Sequence, residues 1–135
     1  MATSCSITAN LSDGTLKTIY CHFDGYPAWA GSILKTHYTT QELVDSLISG
    51  GHISSLGSST DKPEGHAHDT PVSGYTVYYI RDRGDDEKLN APTELSNMSQ
   101  VHKNWQDYNY YWNGENWLLI GRDNKRNLSF NEFKA

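Results

Sequence analysis

The pair Asn113-Gly114 stands between two aromatic runs, 108–112 (YNYYW) and 117–121 (WLLIG). Asn-Gly between such runs is the strongest short-range hairpin signal, because both residues accept the positive φ that tight turns need. These residues therefore read as a terminal antiparallel hairpin. A second hairpin opens it. Residues 6–11 alternate, Ser12-Asp13-Gly14-Thr15 makes a turn, and 16–23 alternate again. In that second run Leu16, Thr18, Tyr20 and His22 share one face, while Lys17, Ile19, Cys21 and Phe23 share the other, more apolar one.

Between the hairpins the period changes. Residues 28–37 read as a short helix with Trp29, Ile33 and Leu34 at helical spacing. Thr39 or Thr40 then caps a second helix with Glu42 in its first turn, a stripe of Leu43, Val44, Leu47 and Ile48, and Gly50-Gly51 at its end. Residues 52–56 read as a short buried strand or a turn, and 57–74 as a long polar loop of the kind that is functional or mobile. Segment 75–81 (YTVYYIR) is the strongest strand pattern, 94–103 reads as a further helix, and 122–135 as a polar tail with Leu128, Phe130 and Phe133 as anchors. Grouped strands and grouped helices predict an α+β fold, a mainly antiparallel sheet of hairpins with two or three short helices on one face.

Length fits one domain, 1–135, with the long loop at about 57–74 and the tail from about 122. A chain of 135 residues buries roughly two-thirds of its unfolded surface, enough for a core without metal or disulfide staples. No apolar run approaches the ~20 residues of a membrane helix, and the start of the chain has no signal-peptide pattern. The expected location is the cytosol, with Cys5 and Cys21 as reduced thiols. Eleven Lys and Arg against sixteen Asp and Glu leave a net charge of −5, which argues against general nucleic-acid binding. No phosphate-loop, dinucleotide, zinc-protease or serine-hydrolase motif is present, and no cofactor is expected.

Four groups of residues carry chemistry. His22, Asp24 and His37 can form an acid–base or nitrogen/oxygen metal set, if the strand runs on to Asp24 and His37 folds back; the alternative is a turn cap and a backbone-bonded imidazole. His66, His68 and Asp69 alternate in the long loop as candidate metal ligands, against a solvated loop. Arg81 and Arg83 on one strand face, with Asp82 opposite, offer guanidinium forks for phosphate or carboxylate, against an ion-pair network with Asp85 and Asp86. The aromatic set Tyr108, Tyr110, Tyr111, Trp112 and Trp117 can stack bases or build a core.

The block Ile19-Tyr20-Cys21-His22-Phe23-Asp24-Gly25-Tyr26-Pro27 resembles a family of small proteins met in tailed phages and prophages. The resemblance takes in Asp13-Gly14-Thr15, Gly31, Leu34, His37-Tyr38, Val44, Leu47-Ile48, Ile53-Ser54-Ser55-Leu56-Gly57 and the YIRDRG stretch from Tyr79 to Gly84. It covers roughly the first two-thirds of the chain and is loose beyond. Phe23 stands where the pattern has Trp. The resemblance implies a phage accessory protein for host takeover or counter-defence, acting in the host cytosol, but no activity transfers with it. Two functions then compete. The favoured one is a binding protein, possibly homo-oligomeric, that sequesters a phosphate-bearing nucleotide signal or blocks a host protein through Tyr20, His22, Asp24, Tyr26, His37, Arg81 and Arg83. The other is a small phosphoester hydrolase in which His22, Asp24 and His37 are catalytic and the arginines neutralise the phosphate.

Overall fold

The computed structural model describes residues 3–98, 100, 106–122 and 128–131. The fold is α+β, built on one mixed eight-stranded sheet. Strands β1 (Cys5–Asn10) and β2 (Leu16–Cys21) form the first hairpin, in register from Cys5 opposite Cys21 to Asn10 opposite Leu16. Strands β3 (Ile53–Ser55), β4 (Val77–Tyr78), β5 (Thr93–Leu95), β6 (Tyr108–Trp112), β7 (Trp117–Arg122) and β8 (Leu128–Asn131) follow. The order across the sheet is β4-β3-β2-β1-β6-β7-β8, with β5 added to β2.

Two pairings are parallel, β1 with β6 and β2 with β3, and the other five are antiparallel. Parallel neighbours need a crossover rather than a turn. The β2–β3 crossover contains a π-helical turn (Pro27–Gly31), α1 (Ser32–His37) and α2 (Gln41–Ser49). The Thr40 side chain caps α2 by accepting the Leu43 amide proton at 3.3 Å, a device worth ~1 kcal/mol. Val44, Leu47 and Ile48 of α2 and Leu34 of α1 are buried against Cys5, Ile7 and Ala9 of β1 and Ile19 of β2. Each such aliphatic side chain contributes about 1.5–3 kcal/mol of transfer free energy.

The other face of the sheet is polar, with side chains bonded across its strands. Ser6 donates to Asn109 (2.6 Å), Thr8 to Thr18 (2.9 Å) and Asn10 to Tyr111 (2.6 Å), each across a pair of neighbouring strands. Thr8 and Asn109 are fully buried, so these bonds keep polar groups satisfied where water is excluded. Leu16, Leu95, Tyr111 and Ile120 make a small apolar cluster beside them.

Several segments differ from expectation. The run 75–81 is a strand only over β4. From Tyr79 the chain turns into α3 (Tyr79–Arg83), because the Asp82 carboxylate accepts the Tyr78 amide proton at 2.7 Å and starts a helical turn. Gly84, at φ 78°, ends it. Arg81 and Arg83 therefore stand on a helix, not on one strand face. A further short helix, α4 (Glu87–Asn90), is capped by the Asp86 side chain, which accepts the Lys88 amide proton. Within 94–103, Glu94 and Leu95 belong to β5, whose register with Leu16–Thr18 overrides a weak helical pattern; residues 99 and 101–103 lie outside the described residues. Leu128 and Phe130 stand on β8, in the segment read as a tail, and Phe133 lies outside the described residues. Among the described residues no helix is long and apolar enough to cross a membrane.

After β2 the chain crosses the start of β1 at Gly25. A Cβ there would lie 2.7 Å from the Ser4 carbonyl carbon and 2.8 Å from both the Cys5 nitrogen and Cβ. The Gly25 amide donates to Thr3 and its carbonyl accepts the Tyr110 hydroxyl, both at 2.8 Å. Because the obstacle is mostly backbone, Gly25→Ala is expected to lower stability by about 3 kcal/mol, read as a lower urea midpoint at unchanged slope. An unchanged midpoint would contradict this close approach.

Candidate groove and aromatic surface

The segment after β2 is held in an uncommon conformation. His22 and Phe23 donate backbone protons to Ile53 and Ser54, which carries the chain alongside β3. Asp24 then adopts φ 58°, a left-handed setting that Asp tolerates better than most side chains. Gly25 is pressed on β1, and Pro27 opens the π-helical turn, where a missing amide proton costs nothing. Ala30 and Gly31 go inward. Phe23, Tyr26 and Trp29 stay outward, 45%, 37% and 47% exposed. Short π-helical insertions and non-glycine residues of positive φ concentrate at functional sites.

Trp29, Asp24 and Ile33 form one wall of an open groove of about 430 Å³. Ser55 to Ser58 make its floor, and the loop stretch from Pro71 to Tyr75 its far wall. Among the described residues no hydrogen bond or ion pair engages the Asp24 carboxylate.

The loop wall is laced to the body of the domain. The Tyr38 hydroxyl donates to the Gly57 carbonyl (2.7 Å), and the Gly57 amide donates to the Thr76 hydroxyl (2.9 Å). His66 is buried; its Nδ1 accepts the Val72 amide proton, so the proton sits on Nε2, 3.1 Å from the Thr76 carbonyl. Arg81 donates through Nε and Nη2 to Asp82, through Nη1 to the Thr60 carbonyl (2.6 Å), and through Nη2 to the Thr76 carbonyl. Burial pushes the Asp82 carboxyl up, but the hydrogen bonds from Arg81 and from the Tyr78 amide outweigh it and hold the group below the usual carboxylate value.

Of the residues expected to form a site, Tyr20 and His22 are joined, with the Tyr20 hydroxyl 2.6 Å from His22 Nδ1. The His22 ring also meets Phe23 edge-on at 4.4 Å. Asp24 lines the groove, whereas Tyr26 is exposed on the same segment outside that lining. His37 is exposed at the end of α1, and among the described residues no hydrogen bond or ion pair links it with His22 or Asp24. Arg81 is spent inside the loop lacing. Arg83 pairs with Asp85 and stacks on Tyr79 at 4.4 Å. His68 faces Asp69 at 3.3 Å while His66 is turned inward, and no three His, Cys, Asp or Glu side chains converge to hold a metal among the described residues. Tyr110, Trp112 and Trp117 are core, with the Trp112 and Trp117 indoles donating to Gln41 and the Tyr38 carbonyl.

No protein-family model matches the chain, and no curated protein or solved structure matches it at a significant level. The site is therefore defined by geometry alone.

Trp29 was visible in the sequence only as a helical position; its exposure comes from the π-helical turn. His52 gave no signal at all. Its Nδ1 accepts the Tyr20 amide proton at 3.0 Å, and burial lowers its pKa from the ordinary 6.5.

Two predictions follow from this network. Asp82→Ala removes the acceptor of the Tyr78 amide and the partner of Arg81. It is expected to cost about 2–3 kcal/mol, less than a fully buried pair because Arg81 is partly exposed, and to open the 57–74 loop to limited proteolysis. For His52, the unfolded chain takes up a proton near pH 6.5 while the folded chain resists it. Stability from this group is then full above that value and is lost as pH falls below it toward the lowered folded value. Thermal melts of wild type and His52→Asn check this, and the variant is expected to show a flatter profile across that window.

Proposed function

We propose that this protein is a binding protein whose ligand is a segment of another protein, seated in the groove beside Trp29. The observation that carries the reading is the exposure of Phe23, Tyr26 and Trp29 on a segment held by Asp24 at positive φ and by Gly25 against β1. Exposed aromatics on a rigid support are typical anchors of protein interfaces. The expected phosphate-bearing ligand is less favoured, since Arg81 and Arg83 are both engaged by carboxylates. A hydrolase would need His22, Asp24 and His37 together, and among the described residues no hydrogen bond or ion pair joins the three.

The partner segment is read from charge and shape. The groove offers an Asp24 carboxylate, an indole face and the aliphatic walls of Ile33 and Val72, on a chain of net charge −5. A complementary segment carries an apolar or aromatic anchor next to a Lys or Arg, which pairs with the carboxylate and stacks on the indole. In the phage setting that the resemblance implies, that segment belongs to a host protein which the binding blocks.

Selection of a displayed library of random short peptides on the wild-type protein tests this. The expected consensus is a large apolar residue beside a basic one, with binding weakened about tenfold or more by Trp29→Ala and less by Asp24→Asn, which tolerates the same backbone. No enrichment, or equal binding to Trp29→Ala, would sink the proposal. Self-association in sedimentation equilibrium that Trp29→Ala abolishes would replace the partner by a second copy of the chain.

A further inference from the structure

A second cavity lies on the polar face of the sheet, away from the groove. The free edge of β2 is covered at one end by β5, along Leu16–Thr18, and at the other by β3, at Cys21. Between them the edge is bare of strands. His52 fills part of the notch by accepting the Tyr20 amide proton. Beside it remains a cavity of about 260 Å³, lined by Ser6, Thr18, Tyr20, His52, Thr93 and Gln106 together with Ile19.

Three properties of this lining limit what it can hold. The described lining residues carry no formal charge besides what a protonated histidine would bring, and His52 is held neutral by the amide proton on its Nδ1. A charged ligand would lose its water there without a counter-charge. The same bond fixes the proton on Nε2, so the ring of His52 offers one donor, to an acceptor atom. Finally, the Tyr20 and His52 rings stand at 89°, centroids 6.4 Å apart. A flat ring parallel to one is edge-on to the other, the arrangement that aromatic quadrupoles favour. The Tyr20 hydroxyl is tied to His22, so its ring is already set in place.

We propose that this notch is a small-molecule site for an uncharged heterocycle of nucleobase or nucleoside size, with a ring nitrogen or carbonyl accepting from His52 Nε2. Thr93, exposed at the rim, offers its hydroxyl to the remainder of the ligand, beside Ser6, Thr18 and Gln106, whose side chains are bonded to Asn109, Thr8 and Ser4. The volume of about 260 Å³ is of nucleobase to nucleoside size, below the usual range for drug-sized ligands. A polyol would gain little from the two perpendicular rings.

Ligand-observed NMR with uracil, adenine and adenosine, and with glucose and inorganic phosphate for comparison, tests the site on the full chain. At least one heterocycle is expected to bind and to shift the His52 Nε2 nitrogen resonance. His52→Asn keeps an acceptor for the Tyr20 amide but has no donor at the position of Nε2, its amide NH2 being too short to reach there, and is expected to weaken binding by about tenfold or more. Thr93→Val, at an exposed rim position, leaves the fold intact and is expected to weaken it by a smaller factor. The proposal is overturned if no heterocycle binds the folded protein, if both variants bind like wild type, or if glucose or phosphate binds as tightly. The peptide-binding groove is a separate surface, and Trp29→Ala is expected to leave heterocycle binding unchanged.

Discussion

Strand β1 is hydrogen-bonded along both edges, antiparallel to β2 and parallel to β6. Its alternate side chains enter two unlike environments. Cys5, Ile7 and Ala9 go into the helix-covered core, and Ser6 and Thr8 into the buried hydrogen-bond ladder of the other face. A one-residue slip would exchange the two sets, placing hydroxyls in the core and aliphatics among polar partners. The register of this strand is thus fixed from both faces, and the first hairpin and the aromatic strands take their places from it. Gly25 can cross only where β1 begins, and Tyr110 of β6 then caps its carbonyl.

The surfaces that can bind are held by groups that cannot. Asp82 holds the turn into α3, draws Arg81 across the loop and lies 3.5 Å from the His66 ring nitrogen. Those groups have the chemistry of a catalytic or anion-binding site, yet their bonding capacity is spent on backbone carbonyls and on each other. What remains open is less conspicuous in composition: an indole, a carboxylate unengaged among the described residues and a neutral histidine. Titratable residues that are well paired inside a loop give rigidity to the wall they support; the binding surface lies on the outer side of that wall.

Local structure was legible where one short pattern decides it. The two hairpins, a cap at Thr39 or Thr40 and a stripe on α2 are read from neighbours a few residues apart; the cap is Thr40, and of the stripe Val44, Leu47 and Ile48 are buried while Leu43 is exposed. The parallel pairings were not, because the partner of β1 lies about a hundred residues away and no turn chemistry announces it. The run 75–81 has strand propensity throughout, but one buried carboxylate bonded to the Tyr78 amide turns its second half into a helix. The same event decided the fate of Arg81 and Arg83. Of the candidate site, the Tyr20–His22 contact was readable as a two-residue strand spacing. The reach from His22 to His37 was not readable, since it depends on how the crossover packs. His52 became relevant only through the gap between β3 and β5, which is a property of the assembled sheet.

Cys5 and Cys21 face each other across the first hairpin, both free and both fully buried, and burial raises the Cys5 thiol well above its ordinary value. A thiol is alkylated as the thiolate and only where reagent reaches it. Neither sulfur is exposed in the native packing, and the two form the last pair of the hairpin ladder, under the helices of the core. The alkylation rate of the native chain is therefore a meter of how often this end of the sheet and its helical cover open, with the reporter supplied by the sequence itself.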